Sequence, residues 1–258
     1  MKTRGAGETG LWAGAATADL TPPGSVFLFG YPHVPRLSTG VHDRLECAAL
    51  YLRDGDGAAL WLANDLIFVG RELAQEVRGR IAAATGVPAD AIMITATHTH
   101  SGPITVDYVS NAADPTVPRV DPGYLRLAAE RMVAAAVQAV AQAQPAEIGL
   151  GVARAEGVGT NRHDPAGPAD PEVPVLVARS RATRLPIGCM VVYAMHPTVL
   201  HEDSTVISGD FPYFTRRYLQ GGVLPAGCPV LYHNGASGNQ SPRHVTRANT
   251  LAEAQRLG

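Results

Sequence analysis

What this chain lacks narrows its class before any motif is read. Only 17% of its 258 residues are charged, the net charge is −2, and like charges form no block. That leaves no electrostatic footprint for nucleic acid or for an anionic membrane surface. Cysteine is scarce: Cys47, Cys189 and Cys228 are odd in number, far apart and without CxxC spacing. Neither a disulfide framework nor a thiolate zinc site fits that pattern, and the three read as buried small apolar residues. No apolar run is long enough to span a bilayer, and MKTRGAGETGLWAGAATADLTPP at the N-terminus has no apolar stretch of the kind a signal peptide needs. The sequence as it stands predicts a cytoplasmic protein. There is no internal repeat and no low-complexity linker.

What is present is a hydrophobic fraction of 46%, enough to bury a sizeable core in one large domain or two small ones. Residues 46–65, ECAALYLRDGDGAALWLAND, give two apolar runs around a DGDG turn, which predicts a hairpin ending at Asn64-Asp65. From Arg71 to Gly86, Leu73, Val77, Ile81 and Ala84 share one helical face, and the glycine suits a C-cap. Ala91 to Thr97 follows as a short strand, so strand, helix and strand form a βαβ unit with a parallel pair. Residues 103–120 carry Pro, Asp and Asn without periodicity and predict a long loop near that edge. DPGYLRLAAERMVAAAVQAVAQAQP then reads as a helix with Asp121 as N-cap, Pro122 in the first turn and Pro145 ending it. Further strands are predicted at 147–154, 173–179 and 187–195, with a last one in PVLYHN. RANTLAEAQRLG opens a helix capped by Asn249 or Thr250 and stops after about two turns, which reads as part of a longer domain cut at this point. The predicted fold class is α/β: a layered mixed sheet with flanking helices, truncated at the C-terminus and forming one partial catalytic domain over 1–258.

The chemistry concentrates at IMITATHTHSGP, residues 92–103. In an extended strand residues i and i+2 share a face, so His98 and His100 are predicted to present two imidazoles to one side. Neutral imidazole is the commonest metal ligand, and open α/β sheets bind ligands beyond the carboxyl ends of their strands. His196, before a proline at the end of another predicted strand, offers a third. Spacing alone weighs evenly between a metal site and turn histidines with satisfied hydrogen bonds. Catalytic zinc commonly takes three protein ligands plus water.

A set of ordered landmarks adds to this. ATHTHSGP, the pair Asn161-Arg162, AMHPT at 194–198, ISGD at 207–210 and NQSP at 239–242 resemble those of the neutral ceramidases. AGAATADLTPP, FGYPHV, GVHDRLECAALYL and LANDL are similar to that family's opening, and the resemblance runs from about residue 13 to the end. It implies a zinc-dependent amidohydrolase that cleaves the amide of an N-acylated sphingoid base. It also implies zinc held by His98 and His196, with a Glu and a Tyr from further along the domain. In that reading His100 works beside the metal, while Arg162 and Ser241 line the reacting centre. GASGN at 235–239 fails the GxSxG nucleophile pattern at its last position, which favours a binding role for Ser241 over a nucleophilic one. Without the resemblance, Ser241 reads as a turn residue and Arg162 as a surface ion pair.

Asp65 and Asp210 fit either carboxylates that orient the ligand imidazoles or helix caps. His33, His42, His163, His201, His233 and His244 receive no role. Ile104, Thr105 and Val106 depart from the glycine that usually continues HTHSGP in the family, which opens the question of lipid specificity. Against the resemblance, the sequence as it stands is expected to be without the family's secretory signal and immunoglobulin-like C-terminal domain. Two other readings stand beside the main one: a hydrolase of another linear N-acyl amide or small peptide-like substrate, and a catalytically dead module that binds a ligand. A barrel amidohydrolase, whose HxH typically lies on the first strand, ranks low.

Overall fold

A computed structural model describes residues 10–107 and 113–258. Positions 108–112 of the predicted 103–120 loop lie outside the described residues. In chain order the strands are β1 (Leu11–Asp19), β2 (Gly40–Val41), β3 (Glu46–Asp54), β4 (Gly57–Asn64), β5 (Ile92–Ala96), β6 (Gln144–Arg154), β7 (Thr160–Asn161), β8 (Glu172–Ser180), β9 (Pro186–Tyr193), β10 (Val206–Ile207), β11 (Val230–Asn234) and β12 (Gln240–Ser241). The helices are α1 (Arg71–Thr85), α2 (Pro122–Ala141), α3 (Phe211–Gly222) and α4 (Leu251–Leu257).

Eight strands form one mixed sheet in the order β11-β9-β8-β6-β1-β3-β4-β5. The pairs β4/β5 and β9/β11 are parallel and the rest antiparallel. Its two halves join only at Trp12↔Pro145 and Ala13↔Gln144, and there the sheet turns back on itself. β3 shows why both of its faces are apolar. Cys47, Ala49 and Tyr51 pack towards α1 and α2, while the alternate residues Ala48, Leu50 and Leu52 pack against Ala146, Ala178 and Leu231 of the other half. On the far side of that second half, Leu219 of α3 covers Val191 and Val230. The result is a four-layer stack of helix, sheet, sheet and helix.

Two glycines permit this closeness. A Cβ on Gly14 would lie 2.0 Å from the Ala139 carbonyl oxygen, so α2 rests its backbone directly on β1. A Cβ on Gly188 would lie 2.8 Å from the Ala15 Cβ, where the two halves of the sheet meet. The alanine stripe of α2, including Ala128, Ala135, Ala136 and Ala139, is fully buried for the same reason.

The predicted hairpin, βαβ unit and later strands are present. Gly55 takes φ 55° in the turn, and Gly86 closes α1 at φ 76°. Asp121 caps α2 by accepting from the Gly123 N–H, and Thr250 caps α4. All three cysteines are free and buried. Several boundaries differ. α2 ends at Ala141, and Pro145 lies inside β6 beside Trp12 rather than ending the helix. β1 and α3 were not predicted. α3 starts where Asp210, at φ 58°, accepts from the Phe211 N–H, with Pro212 in the first turn. That Asp-Phe-Pro start is a helix signal in its own right.

Candidate metal and catalytic site

β5 ends at Ala96, and His98 adopts φ 71° in the left-handed region. The two histidines of HTH therefore do not converge through strand alternation, as the sequence predicts, but through a loop pinned on both sides. The His98 N–H donates to Leu66 O (2.9 Å), and its Nδ1–H donates to Ile67 O (2.9 Å), both just beyond β4. Thr99 donates its hydroxyl to Ser208 O (2.8 Å), and the Ser208 N–H donates to Ser101 O (3.0 Å). His196 follows β9. Its N–H donates to Gln240 O (2.9 Å) and its Nδ1–H to Ser237 O (2.7 Å). A carbonyl can only accept, so these bonds place the proton of both rings on Nδ1 and leave Nε2 with a free lone pair.

His98, His100 and His196 bring one ligand nitrogen each to within 4.8 Å of one another. Ring centroids are 4.7 Å apart for His98–His196, 5.0 Å for His98–His100 and 6.0 Å for His100–His196. Among the described residues this is the one group of three or more His, Cys, Asp or Glu that could hold a metal ion. Zinc takes imidazole nitrogen at about 2.0–2.1 Å, so nitrogens at this separation would have to approach one another to share an ion.

The protonation chemistry also suits a cation. Burial lowers the pKa of His98, and Arg162 lowers it further against the support of the Ile67 carbonyl. Burial lowers His196 too, followed by the charges of His98 and Arg162. His100 lies well below its ordinary value, first through burial and then through His98, His196, Arg36 and Arg162. All three imidazoles are thus kept neutral, the form in which nitrogen ligates. His100 differs in one respect: both its ring nitrogens are buried without a hydrogen-bond partner.

The short ribbon of β7 and β12 brings the other two predicted residues to the same region. Arg162 follows β7, its N–H donates to Asn239 O (2.7 Å), and its Nε is buried without a partner. Its charge reaches all three histidines. Ser241 is buried on β12, paired with Thr160, one residue from the Gln240 carbonyl that anchors His196. Its Oγ accepts from the Arg243 N–H (3.2 Å), which leaves the hydroxyl proton free to be donated.

Asp65 and Asp210 do not orient the ligand imidazoles; backbone carbonyls do. Asp65 pairs with Arg216 and accepts from the Glu46 N–H, while Asp210 caps α3 and accepts from the Leu200 N–H (2.9 Å). The sequence reading overlooked Gly30 and Arg36, which touch the HTH loop. FGYPHV marked the neighbourhood but not the contact.

Fold and site together define a layered α/β domain with a neutral imidazole centre at the carboxyl end of its strands. The chain belongs to the neutral/alkaline non-lysosomal ceramidase family. The family model described as "Neutral/alkaline non-lysosomal ceramidase, N-terminal" matches residues 12–212. A neutral ceramidase of Mycobacterium tuberculosis is 27% identical, matching 85% of this chain and 38% of its own length. The crystal structure of neutral ceramidase from Pseudomonas aeruginosa superposes with a TM-score of 0.86 at 20% identity, covering 97% of this chain and 43% of that one. A structure titled "Ceramidase complexed with C2" gives a TM-score of 0.85 at 20% identity, with 97% and 42% covered. The chain spans about two fifths of the length of these relatives. No helix among the described residues is long and apolar enough to cross a membrane.

Proposed function

We propose that this chain carries the metal-holding and proton-handling part of a zinc-dependent amidohydrolase that cleaves the amide of an N-acylated sphingoid base. The observation that carries the proposal is the convergence of His98, His100 and His196, two of them with Nδ1 tied to carbonyls and Nε2 free. His98 and His196 are the ligands in this reading. Zinc, when bound, supplies Lewis acidity and lowers the pKa of water to about 7. His100, neutral and without a fixed hydrogen bond, accepts the proton of the attacking water and returns it to the amide nitrogen, which leaves poorly unless protonated. Arg162 offers a fork of donors to the developing oxyanion or the product carboxylate, and Ser241 adds a hydroxyl donor.

An apolar cluster packs beside the imidazoles. Phe27, Phe29, Ile67 and Ile104 form a buried apolar cluster with Phe68 packed on it, and the Phe68 ring lies 5.1 Å from that of His98. Ile104, where the family usually has glycine, is buried in that cluster.

The test has two arms. Two neutral imidazoles supply no charge compensation for a dication, so the 258-residue chain alone is expected to bind zinc weakly and to hydrolyse no amide. A protein carrying this sequence at the length of its relatives should release fatty acid from N-acyl sphingosine, and lose that activity to a chelator. Turnover of short linear N-acyl amides without N-acyl sphingosine would transfer the proposal to that substrate class. Zinc binding without hydrolysis of either would leave a binding module.

A further inference from the structure

We infer that Gly30 and Arg36 form a clamp that positions the His100 ring. Its kinetic consequence rests on the reading of His100 as the proton carrier; the clamp itself rests on the contacts below. His98 and His196 have their rings aimed by hydrogen bonds to carbonyls, which lock Nδ1 as a donor. His100 has no hydrogen bond at either nitrogen and must be aimed by shape and by its backbone.

The segment from Leu28 to Arg36 supplies both. The Phe29 N–H donates to Gly102 O (3.0 Å), which lays the segment against the HTH loop. Gly30, at φ 126°, faces the ring so closely that a Cβ there would lie 2.4 Å from His100 Nδ1 and 2.5 Å from Cγ. The Tyr31 ring meets the His100 ring edge-on at 5.2 Å, and its hydroxyl donates to Leu200 O (3.0 Å). Arg36 is only 1% exposed, and no carboxylate pairs with it among the described residues. Its guanidinium instead donates to His100 O (2.9 Å) from Nη1 and to Ser204 O from Nε (3.1 Å) and Nη2 (2.9 Å), and lies 4.9 Å over the Tyr31 ring. A buried cation is expensive to maintain, and the Glu202 and Asp203 carboxylates act on Arg36 without pairing with it directly. Here its donors go to the carbonyls of His100 and Ser204, joining the HTH loop to the loop after His196.

The deciding measurement is imidazole 15N NMR of the chain without substrate, together with thermal melting. Gly30→Ala and Arg36→Met are each expected to move the His100 ring resonances while leaving those of His98 and His196 in place. Alanine at φ 126° is strained whatever surrounds it, so the contribution of the ring is isolated by repeating Gly30→Ala in a His100→Ala background. The Tm penalty should fall there by half or more. Should Gly30→Ala fail to fold alone, folding of the double variant supports the clamp. An equal penalty in both backgrounds, failure of the double variant to fold as well, or joint movement of all three histidines would overturn it. In the active full-length protein both variants should lower kcat on the order of 10²-fold at unchanged KM. If that protein hydrolyses no amide, the reading of His100 as proton carrier fails, while the resonances and Tm values still decide the clamp.

Discussion

His98 and His196 each have one nitrogen committed to a carbonyl, and that separates them from His100 before any ligand is considered. Replacing His98 or His196 by alanine removes a lone pair already aimed at the centre. Either change is therefore expected to abolish zinc retention in the full-length protein. His100→Ala should keep most of the zinc and lose on the order of 10² to 10⁴ in rate. Metal analysis beside turnover checks both expectations, and loss of zinc in His100→Ala would make that residue a ligand. HTH and HPT are visible in the sequence as pairs and spacings. The left-handed backbone at His98 is not, because it depends on Leu66 and Ile67 receiving its hydrogen bonds.

A buried ion pair attaches α3 to the rest of the molecule. Arg216 and Asp65, both almost fully buried, form a two-pronged pair that joins α3 to the end of β4, close to the HTH loop. Removing one partner leaves the other charge uncompensated in the interior. Arg216→Met is expected to cost about 3–5 kcal/mol, read from urea midpoints. Adding Asp65→Asn to that variant should recover part of the loss, since the stranded carboxylate disappears. No recovery would show that Arg216 acts through packing alone. Asp65 and Arg216 stand 151 positions apart, so neither half of the pair announces the other.

The two halves of the sheet are also joined by a partly buried polar contact, His233 on β11 to Thr95 on β5 through Nδ1 and Oγ1 at 2.7 Å. Burial lowers the His233 pKa to about 4. An unfolded His titrates near 6.5, so between those values the unfolded chain binds more protons than the folded one. Stability from this group is complete above about pH 6.5 and is lost as the pH falls towards 4, on the order of 3 kcal/mol in all. Asp210 acts in the opposite direction: burial raises it to about 6, so its contribution declines as the pH rises from about 4 to 6. Comparison with His233→Gln separates the two. The difference in urea stability between pH 7 and pH 4.5 should shift in that variant by most of the His233 contribution, and an unchanged difference would show that His233 is not the group responsible.

Local chemistry settled what the sequence could determine alone. Alternation in ECAALYL, the DGDG turn, the 3.6-residue spacing from Leu73 to Ile81 and the Asp121-Pro122 start each depend on neighbours a few positions away. The ordered motifs around His98, Arg162 and His196 carried the family as well. Tertiary structure decided the rest. A glycine at 14 or 188 reads as a weakness in a strand until α2 or the opposite half of the sheet presses against it. The foldback that produces four layers depends on a two-residue junction between β1 and β6. The geometry of the imidazoles depends on carbonyls 31 and 41 positions away. Backbone acceptors are the same at every residue, so no side-chain pattern identifies which of them a distant histidine will meet.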